Sequence, residues 1–197
     1  MKNSVKIILV LSLVVVVFLL FIVFKGINNS NEKIESAEIP KEMSYLKDTK
    51  KLYVVKEYSV KKERYIQYEQ NYIGKSQEFD TWYGADTYLE TENEKGLFYG
   101  SDKVLAYPVE QGKEWTIDSY TFTIESVDKT VTTPAGTFDN VAEVKTIQKG
   151  VEEYSITYYA KGVGQILRES VDANGKKTMR FELQEIKETK SEEDAAQ

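Results

Sequence analysis

Val131-Thr132-Thr133-Pro134-Ala135-Gly136-Thr137-Phe138-Asp139-Asn140-Val141 is the stretch that decides the fold. Pro134 presets φ for the second position of a type I turn and Gly136 tolerates φ > 0, which is the chemistry of a hairpin closed by a glycine bulge. Thr130 to Thr133 enter with β-branched side chains, and Thr137, Phe138 and Val141 leave with strand-forming ones. Two strands therefore meet here.

Working outward, Gln148-Lys149-Gly150-Val151 turns into Tyr154, Ile156 and Tyr158, and Asp172-Ala173-Asn174-Gly175 joins Gly164–Ser170 to Met179, Phe181 and Leu183. Gly162, Gly164 and Gly175 are further turn glycines. On the upstream side, Asn93-Glu94-Lys95-Gly96 reads as a turn before Leu97-Phe98-Tyr99. Tyr120, Phe122 and Ile124 share one face and Val127 and Val131 the other, which predicts a bulge or twist near Ser126. No 3.6-residue period of helical length follows Leu52. The expectation is an all-β domain, mainly an antiparallel meander, whose period leaves open a curved sheet or half-barrel, a closed barrel, or a sandwich, preceded by one N-terminal transmembrane helix.

That helix is read from Ile7 to Phe24, 18 residues broken only by Ser12. At 1.5 Å rise they span about 27 Å, close to a bilayer's hydrocarbon thickness. The run ends in Phe24-Lys25-Gly26-Ile27-Asn28 with no small-residue cleavage pattern, so an uncleaved anchor is expected. Lys2, Lys6 and the free amino group precede it and Lys25 follows, which puts the N-terminus in the cytoplasm and the rest outside. The expected organisation is anchor over 1–25, polar stalk over 26–50, extracytoplasmic β domain over 51–188 and flexible tail over 189–197.

Composition supplies exclusions. Cysteine and histidine are absent, which removes disulfides, thiol nucleophiles, imidazole bases and the common zinc and haem sites. Setting aside Lys2 and Lys6 leaves 24 basic against 32 acidic residues, a poor surface for nucleic acid. The 14 tyrosines suit a sheet. No cofactor and no metal are expected: Asp172-Ala173-Asn174-Gly175 lacks the ligands of a calcium loop, and Gly162-Val163-Gly164 is too short for a phosphate loop.

Tyr107-Pro108 with Gly112 and Trp115, then Thr133-Pro134-Ala135-Gly136-Thr137-Phe138 with Asn140-Val141, then Tyr158-Tyr159-Ala160 with Gly162-Val163-Gly164, form a recurring signature. It resembles that of a family of cell-envelope proteins and lipoproteins, Gram-positive bacterial above all, with no established reaction. A looser similarity is to curved-sheet lipoprotein carriers with a concave apolar face. The resemblance implies a β fold displayed outside the membrane; a peptide anchor stands here where the lipoproteins carry a lipidated cysteine.

Trp82, Tyr83, Tyr99, Tyr107, Trp115, Tyr158 and Tyr159 are the candidate ligand-binding residues, since aromatics combine large contact area with a polar handle; the competing use is core packing. The expected function is non-catalytic binding of an amphipathic ligand or an envelope protein partner. The alternative is a carboxylate hydrolase, for which Glu90, Glu92 and Glu94, or Glu152 and Glu153, would supply two carboxyls about 5 to 10 Å apart.

Overall fold

The computed structural model describes residues 39–189. The expected transmembrane helix, the stalk up to residue 38 and the tail from 190 onward lie outside them. Among the described residues no helix is long and apolar enough to cross a membrane.

Twelve strands account for most of the described chain. The first six are β1 (Lys51–Ser59), β2 (Arg64–Ser76), β3 (Phe79–Tyr83), β4 (Thr87–Asn93), β5 (Gly96–Tyr99) and β6 (Asp102–Ala106). The second six are β7 (Glu114–Ile117), β8 (Tyr120–Thr133), β9 (Gly136–Gln148), β10 (Tyr154–Ala160), β11 (Gly164–Val171) and β12 (Lys177–Glu188). A single 3-10 turn, Val60–Lys62, links β1 to β2.

All twelve belong to one sheet in the order β6-β5-β4-β3-β2-β1-β12-β11-β10-β9-β8-β7. Every neighbouring pair is antiparallel, so the expected meander is present. Its two chain ends pair with each other, β1 against β12 from Lys51↔Glu188 to Glu57↔Phe181. The free edges are thus β6 and β7, which are consecutive in the chain. The sheet curls until these edges come together, where the Trp115 indole N–H donates to the Lys103 carbonyl at 2.9 Å. Of the three architectures left open by period alone, the chain forms a nearly closed barrel whose one seam lies between β6 and β7.

Both faces of β10 are covered, one of them with Val131, Ala135 and Phe138 of the β8–β9 hairpin packed against its cluster. One cluster gathers Tyr53, Val55, Trp82, Ile156, Tyr158, Ile166, Phe181 and Leu183, and a second gathers Tyr45, Leu97, Leu105, Ile124, Val144 and Tyr159. Strand β10 serves both, with Tyr158 in the first and Tyr159 in the second, as alternation along a strand requires. Full burial of a Val, Ile or Leu side chain contributes about 1.5–3 kcal/mol, so Val55, Ile124, Ile166 and Leu183 alone outweigh the loss of any one surface pair.

The deciding hairpin forms as β8–β9, with two details changed. Thr133 pairs directly with Gly136, so the loop is the two residues Pro134 and Ala135 and the bulge is not at the glycine. It sits at Asn140, a positive-φ residue (54°), where β9 carries one residue more than β8 between Lys129↔Val141 and Val131↔Phe138. Asparagine tolerates this backbone region better than most side chains do. The bulge expected near Ser126 is present as register shifts on both sides of it. Because of it, Val127 packs with Phe122 beside Ile124 and not on the opposite face, while Val131, Ala135 and Phe138 lie against the other cluster.

Gly136 has φ of 139°, and a Cβ there would meet nothing within 4 Å. Gly136→Val therefore tests backbone strain without a clash. The expected loss is about 1–3 kcal/mol, seen as a lower denaturation midpoint. An unchanged midpoint would mean that the hairpin does not hold this backbone.

Candidate functional site

The end of the expected stalk is part of the domain. Pro40 opens a turn in which the N–H groups of Met43 and Ser44 donate to its carbonyl, at 2.8 and 3.1 Å. The following residues enter the barrel: Tyr45 is 3 % and Lys47 6 % exposed. A polar tether was expected here because the stretch is charged; burial is possible because each polar group finds a partner. Tyr45 N–H donates to Glu92 Oε1 at 2.8 Å, Lys47 N–H reaches Glu90 Oε2 at 3.4 Å, and the Gly162 N–H donates to the Ser44 carbonyl at 2.9 Å. Glu90 and Glu92 are two apart on β4 and so present their carboxylates to the same side.

The deepest contact is the Lys47–Glu90 ion pair, Nζ to Oε1 3.0 Å, with the two side chains 3 % and 0 % exposed. Around Nζ stand the rings of Tyr88, Tyr99 and Trp82, with centroids 5.3, 5.4 and 5.6 Å away. Gly164 faces the pair, since a Cβ there would lie 3.3 Å from Lys47 Nζ, 3.4 Å from the Tyr45 carbonyl and 3.5 Å from Glu90 Oε1. Burial works against the charge on Lys47, but the Glu90 carboxylate outweighs it and, with the tyrosine oxygens of Tyr99 and Tyr88, holds the ammonium well above the usual lysine range. Among the described residues, Trp82 Nε1, Tyr88 OH, Tyr99 OH and Gln70 Oε1 are buried without a hydrogen-bond partner.

The same segment walls an open groove of about 680 Å³ at the end of the seam. Ile39, Pro40, Met43 and Tyr45 form one side; Tyr107, Pro108 and Val109 from the β6–β7 connection form another, and Val127 adds to the apolar lining. The polar lining residues are Glu94, Glu110, Asn140 and Lys161. Glu92 ties the two walls together, because its Oε1 accepts both the Tyr45 N–H and the Tyr107 hydroxyl. The two rings stand 6.2 Å apart. Lys113 Nζ donates to the Tyr107 carbonyl and fixes the far side.

The seven candidate aromatics do not share one concave face. Tyr107 lines the groove. Trp82 is fully buried, packed edge-on against Tyr53 and Tyr72, and Tyr83 beside it is 56 % exposed, as alternation dictates. Tyr99 belongs to the lysine box. Trp115 stacks on Phe122 at 5.1 Å and closes the seam, and Tyr158 and Tyr159 pack in separate clusters. The carboxylates are placed as clearly: Glu90 is sealed against Lys47, Glu92 is held by Tyr45 and Tyr107, Glu94 lines the groove, and Glu152 and Glu153 are exposed, with Glu153 3.6 Å from Arg180. Among the described residues no cluster of acidic side chains could hold a metal ion. Reading the sequence missed Ile39, Pro40, Met43 and Lys47. The available signal was the shared period of two in Tyr45-x-Lys47 and Glu90-x-Glu92.

No family model matches the chain, and no curated protein does. Two crystal structures are similar in architecture. One is a candidate lipoprotein of Parabacteroides distasonis, 14 % identical, TM-score 0.42, covering 74 % of this chain and 99 % of that one. The other is a candidate exported protein of Bacteroides fragilis with a YmcC-like fold, 12 % identical, TM-score 0.47, covering 75 % of this chain and 100 % of that one. At this level of likeness neither brings a function or a location to the chain.

Burial pushes the Tyr45 hydroxyl up to about 12, helped by Glu92, and pushes that of Tyr88 up to about 12 against the opposing effect of Lys47. Tyr53, Tyr99, Tyr107 and Tyr159 move the same way, each mainly through burial. All of these groups, and Lys47, keep their protons to higher pH in the folded chain than in the unfolded one, where tyrosine loses its proton near 10.0 and lysine near 10.5. Their contribution is present in full below pH 10 and is lost as pH rises through the interval from 10 to 12 and beyond. The denaturant midpoint should accordingly fall steadily above pH 10, with the tyrosinate absorbance of the buried tyrosines appearing together with unfolding, after that of the exposed ones. Absorbance that rises in full near pH 10 while the midpoint stays constant would contradict this burial.

Proposed function

We propose that the chain is a membrane-anchored, extracytoplasmic and non-catalytic binding domain of the cell envelope, and that its groove takes an amphipathic ligand. The observation that carries this is the groove itself, which lies within the roughly 300–1,000 Å³ of small-molecule sites and combines apolar walls with four polar residues. A concave, mainly apolar surface favours a ligand with an apolar body over a flat protein partner. A non-catalytic role is supported by the carboxylates Glu90 and Glu92, which are bonded to Lys47, Tyr45 and Tyr107 instead of facing a cleft, so that of the three glutamates on this stretch only Glu94 lines the groove. The external location rests on the apolar run Ile7–Phe24 and on the lysines before it.

Anchor and groove are close in the chain. Lys25 to Glu38 are the 14 residues between Phe24 and the groove wall at Ile39, a reach of at most roughly 50 Å at about 3.3–3.6 Å per residue.

Titrating the full chain with a fluorescent fatty acid should show saturable binding that weakens at least tenfold in Val127→Trp, where the bulkier indole intrudes into the groove, and persists in Tyr120→Ser on an exposed surface. Equal binding by all three proteins would place the ligand elsewhere, and no saturable binding by the wild type would leave an envelope protein as the partner to seek.

The anchor has its own test. After high-salt and alkaline washing, the protein should remain with the membrane fraction and retain Met1 to Phe24, because apolar burial of an 18-residue span is weakened by neither treatment. Recovery of a soluble form beginning near Gly26 would show that the segment is a cleaved signal.

A further inference from the structure

The surroundings of Lys47 have the make-up of an ammonium-recognition site. Three aromatic rings stand 5.3 to 5.6 Å from Nζ, within the range in which a ring face attracts a cation, and Glu90 supplies the counter-charge at 3.0 Å. Gly164 closes a further side, its backbone so near that an added Cβ would lie 3.3 Å from Nζ. Aromatic cages are a recurrent device for recognising ammonium ligands, and the attraction acts on the charge, which a neutral molecule of the same shape lacks.

Two features separate the box from an ion pair that merely fills a core. The cation arrives on residues 39–48, which belong to none of the twelve strands. The box also holds oxygen acceptors besides the carboxylate: the hydroxyls of Tyr88 and Tyr99 are buried beside Nζ, and among the described residues neither has a partner at full hydrogen-bond geometry.

We infer that the barrel interior holds a binding site for a small primary alkylammonium group, and that Lys47 is its tethered occupant. When the segment around Tyr45 and Lys47 withdraws, one ammonium group replaces another against Glu90; no covalent bond changes and the charge of the box stays balanced. This does not rest on the groove, although the same segment walls it, so release of Lys47 would remodel the groove as well.

The test uses the full chain carrying Lys47→Ala, which removes the atoms of one n-propylammonium ion. It is titrated with n-propylammonium chloride, with n-propanol as the neutral isostere and sodium chloride for ionic strength. Tryptophan emission should change saturably, and Tm should rise by several degrees, with n-propylammonium alone. The response should vanish in Lys47→Ala combined with Glu90→Gln, and should be at least tenfold weaker in the unmodified chain, whose box is filled. Equal effects of propanol, or an equal response in the unmodified chain, overturn the inference. If Lys47→Ala does not fold unaided, its refolding is measured with the same solutes: recovery of folded emission with n-propylammonium but not propanol supports the site, and recovery with neither overturns it.

Discussion

The structure depends on one buried charge pair. A lysine and a carboxylate removed from water each lose several kcal/mol of solvation, a loss only their mutual attraction and added hydrogen bonds can offset. Lys47 and Glu90 therefore stay inside only as partners, with their side chains 3 % and 0 % exposed. The pair also sits where the barrel must hold its curl. Trp82, Tyr88 and Tyr99 bring β3, β4 and β5 to it, and Gly164 brings β11 from the other side. A side chain at Gly164 would separate these walls, and its φ of 74° would strain any residue but glycine.

From this constraint follows the placement of the groove. Because β1 pairs with β12, the opening in the meander moves to the junction of β6 and β7. The segment leading to Lys47 runs beside that junction, packing Tyr45 against Leu97, Leu105 and Ile124. Its earlier residues, Ile39 to Met43, then face the loop at Tyr107 and Pro108. Glu92 fastens the two walls, so the groove has its shape only while the segment is seated. The signature glycines gain a physical role in the same way: the Gly162 N–H holds the Ser44 carbonyl, and Gly164 gives Tyr45 and Lys47 room to pass.

Much of the sheet was legible because its turns are written in local chemistry. Asp172 to Gly175 forms the turn expected, with the Asp172 side chain accepting from the N–H groups of Asn174 and Lys176. Glu94 and Lys95 likewise join a paired Asn93 and Gly96. Closure was not legible, because period two is the same in a sandwich, a half-barrel and a barrel; the deciding facts, pairing of β1 with β12 and the Trp115 contact with Lys103, join residues distant in sequence or on separate edges. The site was legible only in part. Aromatic content pointed to Tyr107, which lines the groove, but equally to Trp82 and Tyr158, which are core residues, since composition does not say which face of a strand is covered. Tyr45 and Lys47 were read as tether because a charged stretch looks solvated until its partner, 43 residues away, is known.

The most direct measurement of this account is a double-mutant cycle across the buried pair, with folding free energies for the wild type, Lys47→Met, Glu90→Leu and the combined variant. Each single change leaves an uncompensated buried charge and should cost about 3–5 kcal/mol, whereas the combined change removes both charges and should recover most of that loss. Costs that simply add in the combined variant would show that the two groups do not depend on each other, and would contradict the account.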